Sequence, residues 1–111
     1  MIRVYGSKMC PDCRNLELNF RTYGIEYEYL DINESLRNLK AFLILRDGYP
    51  EVFDRLKAVH DIGIPACVDR NGRVFTNWEA MVAEMGHEVL SEDTRDTAPG
   101  AACSLTNRKG C

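Results

Sequence analysis

The segment Cys10-Pro11-Asp12-Cys13 stands shortly after an apolar run at the beginning of the chain, Ile2 to Tyr5. The run predicts a strand, and residues 6–9 predict the loop that follows it. Proline is favoured at the first position of a helix, because its fixed φ suits the helix and its missing N–H would have no partner there. The chain is therefore predicted to pass from a strand into a helix with Cys10 at the helix start.

The rest of the chain alternates between strand and helix patterns. Helices are predicted where apolar residues recur every three or four positions, and strands where they alternate or flank a turn. In order, we predict a helix over 11–23, a strand over 25–30, a helix capped by Asn33 and ending near 47–48, a shorter helix from Pro50, a hairpin of strands 66–68 and 74–75 around Asn71-Gly72, and a helix over 77–89. With a right-handed crossover between the first two strands, this order predicts an α/β fold with a mixed four-stranded sheet and helices on both faces.

A chain of 111 residues fits one domain. We expect that domain to end near residue 90, because residues 91–111 are rich in Ser, Thr, Asp, Ala, Pro and Gly and contain Leu105 as their one large aliphatic residue. Such a segment buries too little apolar surface to offset its ordering entropy. The prediction is a globular domain over 1–90 and a flexible tail over 91–111.

Composition narrows the classes of partner. No apolar run approaches the ~18 residues of a membrane span, and a net charge of −3 with both signs interspersed offers no cationic field for nucleic acid. We expect protein or small-molecule partners, no nucleic acid, no membrane and a monomer. Five cysteines without an export signal favour a reducing compartment, so we expect the cytoplasm.

Cys10 and Cys13 lie three positions apart, close enough for a disulfide. Backbone N–H groups and the helix dipole favour an anion at the first of the two positions. In such pairs the pKa of the first cysteine falls from ~8.5 to somewhere in ~3.5–7.5, which makes its thiolate the nucleophile at neutral pH. The predicted chemistry is attack by Cys10 on a disulfide and resolution of the mixed disulfide by Cys13.

Half of a structural zinc site is the alternative interpretation of this pair. A closed zinc site needs two further ligands, usually as a second closely spaced pair, and the other cysteines and histidines are isolated: Cys67, Cys103, Cys111, His60 and His87. We expect no metal. Cys67 is predicted to be a small buried residue. Cys103 and Cys111 could close a small loop, relay electrons to the first pair or be idle thiols.

The strand leading into Cys10-Pro11-Asp12-Cys13, with Ile64-Pro65 placed before a hairpin, resembles the glutaredoxins over residues 1–90. The resemblance implies a thioredoxin-like fold that reduces protein disulfides or glutathione-mixed disulfides, with glutathione as a co-substrate and no tightly bound cofactor. It also implies that Pro65 is cis and packs beside Cys10, where the Ile64 backbone would pair with an extended substrate.

The chain departs from the glutaredoxin pattern at the glutathione subsites. Asp12 stands where glutaredoxins commonly have Tyr, and Thr76-Asn77 begin the segment that replaces their glycine-containing turn. Lys8 either holds a glycyl carboxylate or is a solvated loop charge. The alternatives are a thioredoxin-like reductant that does not use glutathione, or an iron–sulfur or zinc-binding module of the same fold. The predicted substrate-binding residues are Lys8, Pro11, Asp12, Ile64, Pro65, Thr76 and Asn77.

Overall fold

A computed structural model describes residues 1–91, and over this part the fold is α/β, with four strands and four helices. The elements in chain order are β1 (Ile2–Gly6), α1 (Pro11–Thr22), β2 (Tyr27–Asp31), α2 (Leu36–Gly48), α3 (Pro50–Ala58), β3 (Ala66–Val68), β4 (Val74–Phe75) and α4 (Trp78–Glu84). Apart from Ser91, the predicted tail lies outside the described residues, and so do Cys103 and Cys111. Among the described helices, none is both long and apolar enough to cross a bilayer.

The strands form one mixed sheet in the order β2-β1-β3-β4. β1 is parallel to β2, whereas β3 is antiparallel to both β1 and β4. The α1 helix connects the parallel pair, as expected, because parallel neighbours need a crossover of a dozen or more residues. The four-stranded mixed sheet predicted from the sequence is confirmed.

Helices cover both faces of the sheet, as also predicted. Adjacent strand residues point to opposite faces, and here Val4 packs in one core cluster while Tyr5 packs in the other. The first cluster includes four buried side chains of α1 and α4, which are Leu16, Phe20, Trp78 and Val82. The second holds those of α2 and α3, which are Phe42 and Phe53. The two faces of a short sheet therefore each have an apolar core.

Three predicted boundaries are wrong for local reasons. The second strand begins at Tyr27 rather than Ile25, because the Ile25 N–H still bonds to the Phe20 carbonyl at 2.9 Å and closes the preceding turn. The cap of α2 is Ser35, whose hydroxyl accepts from the Asn38 N–H at 3.1 Å. Asn33 instead accepts a short hydrogen bond from the Ser7 hydroxyl.

The last helix ends five residues earlier than predicted, at Glu84 rather than Val89. Gly86 follows with a φ of +88°, in the left-handed region that glycine adopts without steric cost. The residues beyond it then leave the α4 axis and lie along α1, where the Tyr23 hydroxyl donates to the Glu88 carbonyl at 2.6 Å. A competing set of contacts with α1 thus replaces the last turns of the helix.

Candidate functional site

Cys10 lies between β1 and α1, just before the first residue of the helix. Its backbone is extended, with φ −94° and ψ 120°, and Pro11 is the first helical residue. The Cys10 N–H donates to the Ser7 carbonyl at 3.0 Å, and the Cys10 carbonyl accepts from Cys13 and Arg14 at 3.1 Å. The short loop and the first helical turn together hold both cysteines in place.

The two thiols are free and differ in exposure. Cys10 is partly exposed, whereas Cys13 is completely buried. Of the two thiols, Cys10 is therefore the one that a molecule in solution can contact.

The Cys13 thiol donates a hydrogen bond to the Cys10 sulfur and is the main reason that the pKa of Cys10 falls from 9.0 to about 7. Backbone N–H groups of Cys13 and Asp12 lower the pKa further. Partial burial and the negative charge of Asp12 oppose them. The backbone N–H groups of the helix start, which the sequence predicted to favour a thiolate, contribute less to this lowering of the pKa than the Cys13 thiol does.

Cys13 has the opposite electrostatics. Its pKa is raised far above the ordinary range, because its proton is engaged by Cys10, because it is buried, and because a thiolate on Cys10 repels a second negative charge. The Ser7 backbone N–H, 3.5 Å from the Cys13 sulfur, acts in the other direction and lowers the pKa. Reduced Cys13 therefore stays protonated while Cys10 is the thiolate.

The sheet register brings the other predicted site residues to the same edge. Tyr5 pairs with Ala66, so Ile64-Pro65 lies at the end of the sheet where β1 leads into Cys10. The Ile64–Pro65 peptide bond is cis, as the resemblance implied, and Pro65 is fully buried. Before it, Gly63 has a φ of +97°, and a Cβ there would stand 2.9 Å from the Phe53 ring, so this approach to the site requires glycine.

Lys8 and Thr76-Asn77 flank Cys10 on opposite sides. β4 ends at this same edge, and its neighbours Thr76 and Asn77 follow it directly, with Thr76 partly buried and Asn77 exposed. Lys8 turns toward β2, where its ammonium lies 4.0 Å from a Glu17 carboxylate oxygen and 5.3 Å from the centre of the Tyr29 ring. Trp78, only 1 % exposed, adds no bulk to this surface.

A shallow depression of about 430 Å³ opens beside Lys8. Its other lining residues are Tyr29, Asp31, Asn33 and Glu34. Two of the five lining side chains are acidic and one is basic, so the depression favours a neutral or cationic group over an anionic one. This charge pattern does not match the carboxylates of glutathione.

Cys67 is completely buried in the α1/α4 core, as predicted, and burial raises its pKa to about 12. Within residues 1–91, no group of three or more His, Cys, Asp or Glu side chains is placed to hold a metal ion.

Three residues near the pair were not anticipated. Gly6, Ser7 and Tyr29 lie near the Cys13 sulfur. Nothing in the sequence marks these three residues, because a glycine at a strand end, a serine in a loop and a tyrosine in a strand are all common. They meet only because α1 connects the paired strands β1 and β2. Their contacts are taken up below.

The comparison with known proteins gives one relative. Over 71 residues, the chain is 38% identical to a protein of Haemophilus influenzae described as uncharacterized, an alignment that covers 64% of this chain and 81% of that protein. No protein-family model matches the sequence, and no solved structure gives a significant match.

Proposed function

The chain belongs to the same family as this Haemophilus influenzae protein, and we propose that it is a thiol–disulfide oxidoreductase of thioredoxin-like fold, in which Cys10 attacks and Cys13 resolves. The observation that carries the proposal is the difference in exposure and pKa between the two thiols. Cys10 is accessible with a pKa of about 7, and its main stabilising donor is the buried thiol that would complete the reaction. An inert buried pair would need neither the exposure nor the depressed pKa.

The proposed reaction follows from this difference between the two thiols. The Cys10 thiolate attacks one sulfur of a substrate disulfide, a Cys10–substrate disulfide forms, and the other substrate sulfur leaves with the electron pair and takes up a proton. Cys13 then loses its proton and attacks the Cys10 sulfur. The Cys10–Cys13 disulfide forms, the second substrate thiolate leaves, and the two cysteines are oxidised as the substrate disulfide is reduced.

The second part of the proposal concerns the segments around Cys10 that would bind the substrate. The cis Ile64–Pro65 segment, Pro11, Asp12 and the Thr76-Asn77 segment surround Cys10 at one end of the sheet, where the Ile64 backbone is free of the β3 ladder. We assign them, with Lys8, to binding the chain that carries the disulfide. The protein acts as a monomer on disulfide-containing proteins or on glutathione mixed disulfides, in the reducing cytoplasm and with no tightly bound cofactor.

The electron donor separates the glutaredoxin-like form of this activity from the thioredoxin-like one. The acidic depression beside Lys8 and the Lys8–Glu17 pair favour a donor other than glutathione. A coupled assay tests this, with one sample given glutathione, glutathione reductase and NADPH, and a second given thioredoxin reductase and NADPH. We expect turnover of a protein disulfide with the second donor to exceed turnover with the first, and none for Cys10→Ser.

Metal content of the same purified protein completes the test. Failure of both donors to support turnover, together with stoichiometric zinc or with the visible absorbance of an iron–sulfur cluster under anaerobic conditions, would replace the proposed activity with a metal-binding role for Cys10. Turnover with glutathione alone would keep the activity and reverse the proposed donor.

A further inference from the structure

Three groups converge on the space behind Gly6. A Cβ built on Gly6 would stand 2.8 Å from the Tyr29 hydroxyl oxygen and 2.9 Å from the Cys13 sulfur, distances that real side chains do not adopt. The Ser7 N–H lies 3.5 Å from the same sulfur. The absence of a side chain at position 6 therefore lets a phenol and a thiol share one pocket behind β1.

The Tyr29 hydroxyl is unsatisfied in this pocket. Its oxygen is buried and has no hydrogen-bond partner within the described residues. A buried polar group without a partner costs about 1–3 kcal/mol, and such a group calls for an explanation when it stands beside reactive side chains. In the reduced protein the Cys13 side chain is a neutral thiol and only a weak acceptor; its interaction with Tyr29 is among the causes that raise the pKa of the phenol.

A stronger acceptor for the Tyr29 hydroxyl forms later in the proposed reaction. Once Cys10 is bonded to substrate, it no longer repels a charge on Cys13, and Cys13 must become a thiolate to attack. We propose that the Tyr29 hydroxyl, together with the Ser7 N–H, donates a hydrogen bond to the Cys13 thiolate and so accelerates resolution of the mixed disulfide. This inference rests on the proposed function and makes Tyr29 a positioning residue for its second step.

The surroundings of Tyr29 keep it a donor. Burial first, and then the negative charges of Cys13 and Glu17, raise its pKa far above the ordinary value, so the phenol stays protonated. A side-chain interaction with Cys13 and the charge of Asp31 add to this effect, and the Lys8 ammonium lies over the Tyr29 ring. On the Cys13 side the facing charges are Cys10 and Asp12, both of which oppose a thiolate. The Ser7 N–H and the Tyr29 O–H are the groups placed to compensate.

In the resolving step, the Cys13 thiol loses its proton, which ends on the departing substrate sulfur, and the Cys13 thiolate attacks Cys10. The Cys13–Cys10 bond forms, the Cys10–substrate bond breaks, and the substrate sulfur leaves with the electron pair and is protonated. Tyr29 keeps its own proton throughout and contributes only the hydrogen bond.

The test uses 5,5′-dithiobis(2-nitrobenzoic acid), a small disulfide that releases one coloured thiolate on attack and a second on resolution. The full chain carries Cys103→Ser and Cys111→Ser to remove background thiols. Tyr29→Phe is expected to leave the first release unchanged and to slow the second at least tenfold, because hydrogen bonds to charged groups are the strong class. The pH at which the second release is half-maximal should also rise by about one unit.

Tyr27→Phe is the matched control. It removes the same atom from the same strand, but the Tyr27 hydroxyl donates to Glu17 at 2.8 Å. We expect it to change neither release. Near-UV circular dichroism and melting temperature verify that both variants fold.

The outcomes separate the inference from the proposed function. If the parent protein releases no second thiolate, Cys13 does not resolve and the proposed function itself fails. If the parent releases both and Tyr29→Phe matches it in rate and pH profile, only the inference is overturned. Equal slowing of both releases by Tyr29→Phe would also overturn it, since it would show a general structural role.

Discussion

The side chain of Asn19 and the backbone of Leu90 hydrogen-bond in both directions. The Asn19 amide nitrogen donates to the Leu90 carbonyl at 3.0 Å, and its amide oxygen accepts from the Leu90 N–H at 2.8 Å. Asn19 is completely buried in α1, so these bonds tie the segment after α4 to the first helix. Nearby, the His87 ring stacks on Tyr23 at a centroid distance of 4.0 Å. The folded unit therefore extends to Leu90.

Deletion of residues 91–111 should leave stability unchanged, whereas deletion of residues 87–111 should lower it. The second deletion removes the Leu90 bonds and leaves the buried Asn19 amide short of partners, at a cost of about 1–3 kcal/mol. Thermal unfolding should show a melting temperature lower by about 5 °C or more, as expected for a domain of this size. Asn19→Ala should reproduce the loss, while Thr22→Ala on the exposed side of α1 should not. Equal melting temperatures for the two deletions would show that the segment does not stabilise the fold.

Substitution of the two cysteines should give different products. Cys10→Ser is expected to abolish disulfide reduction, because buried Cys13 is inaccessible to substrate. Cys13→Ser should still attack and then accumulate a mixed disulfide, visible by mass spectrometry as one added substrate. Loss of attack in both variants, measured with a labelled disulfide, would contradict the assigned roles.

Alkylation of Cys10 should follow a titration with a midpoint near pH 7 in the folded, reduced protein. The thiolate is the reactive form, so a lowered pKa shifts reactivity to lower pH, and the midpoint should return to about 9 in denaturant. Cys13→Ala removes the main donor and should raise the midpoint, whereas Cys67→Ala should leave it in place. Peptide mapping after iodoacetamide treatment resolves Cys10 from the other thiols. A Cys10 midpoint unmoved by Cys13→Ala would refute the hydrogen bond as its cause.

Asp12→Asn should lower the pKa of Cys10, because the Asp12 charge raises it. A more stable thiolate stabilises the reduced protein, so the reduction potential should become less negative by about 10–30 mV. Thiolate absorbance and equilibration with a glutathione redox buffer measure the two effects. Asp47→Asn, at the exposed end of α2, is the charge-matched control and should change neither. A potential shifted to more negative values would mean that Asp12 acts through another group.

Gly6→Ala should destabilise the protein by about 1–3 kcal/mol, because the new methyl group overlaps both the Tyr29 hydroxyl and the Cys13 sulfur. Gly48→Ala is the control, since a Cβ there meets nothing within 4 Å. Urea unfolding of the two variants compares the losses. Similar unfolding midpoints would show that the space behind Gly6 is larger than the structure indicates.

The sequence was sufficient to predict the cysteine pair at a helix start and most of the architecture. Those features depend on neighbours in the chain: a proline after Cys10 begins a helix wherever that helix packs, and apolar spacing assigns each segment to a strand or a helix. The element order then limits the sheet to few arrangements. The same local logic misplaced the cap of α2, where Ser7 of the loop after β1 binds Asn33, and the end of α4, where α1 binds the residues that follow.

The surroundings of Cys13 were decided by the tertiary structure alone. Tyr29 and Gly6 are separated by more than twenty residues, and neither carries a local pattern that points to a thiol. They meet because β1 and β2 pair in parallel with Gly6 opposite Asp31, while α1 crosses over them and presents Cys13. The tertiary structure likewise decided the different exposure and pKa of the two thiols and the hydrogen bonds between Asn19 and Leu90. Each depends on which segments pack together in the folded chain.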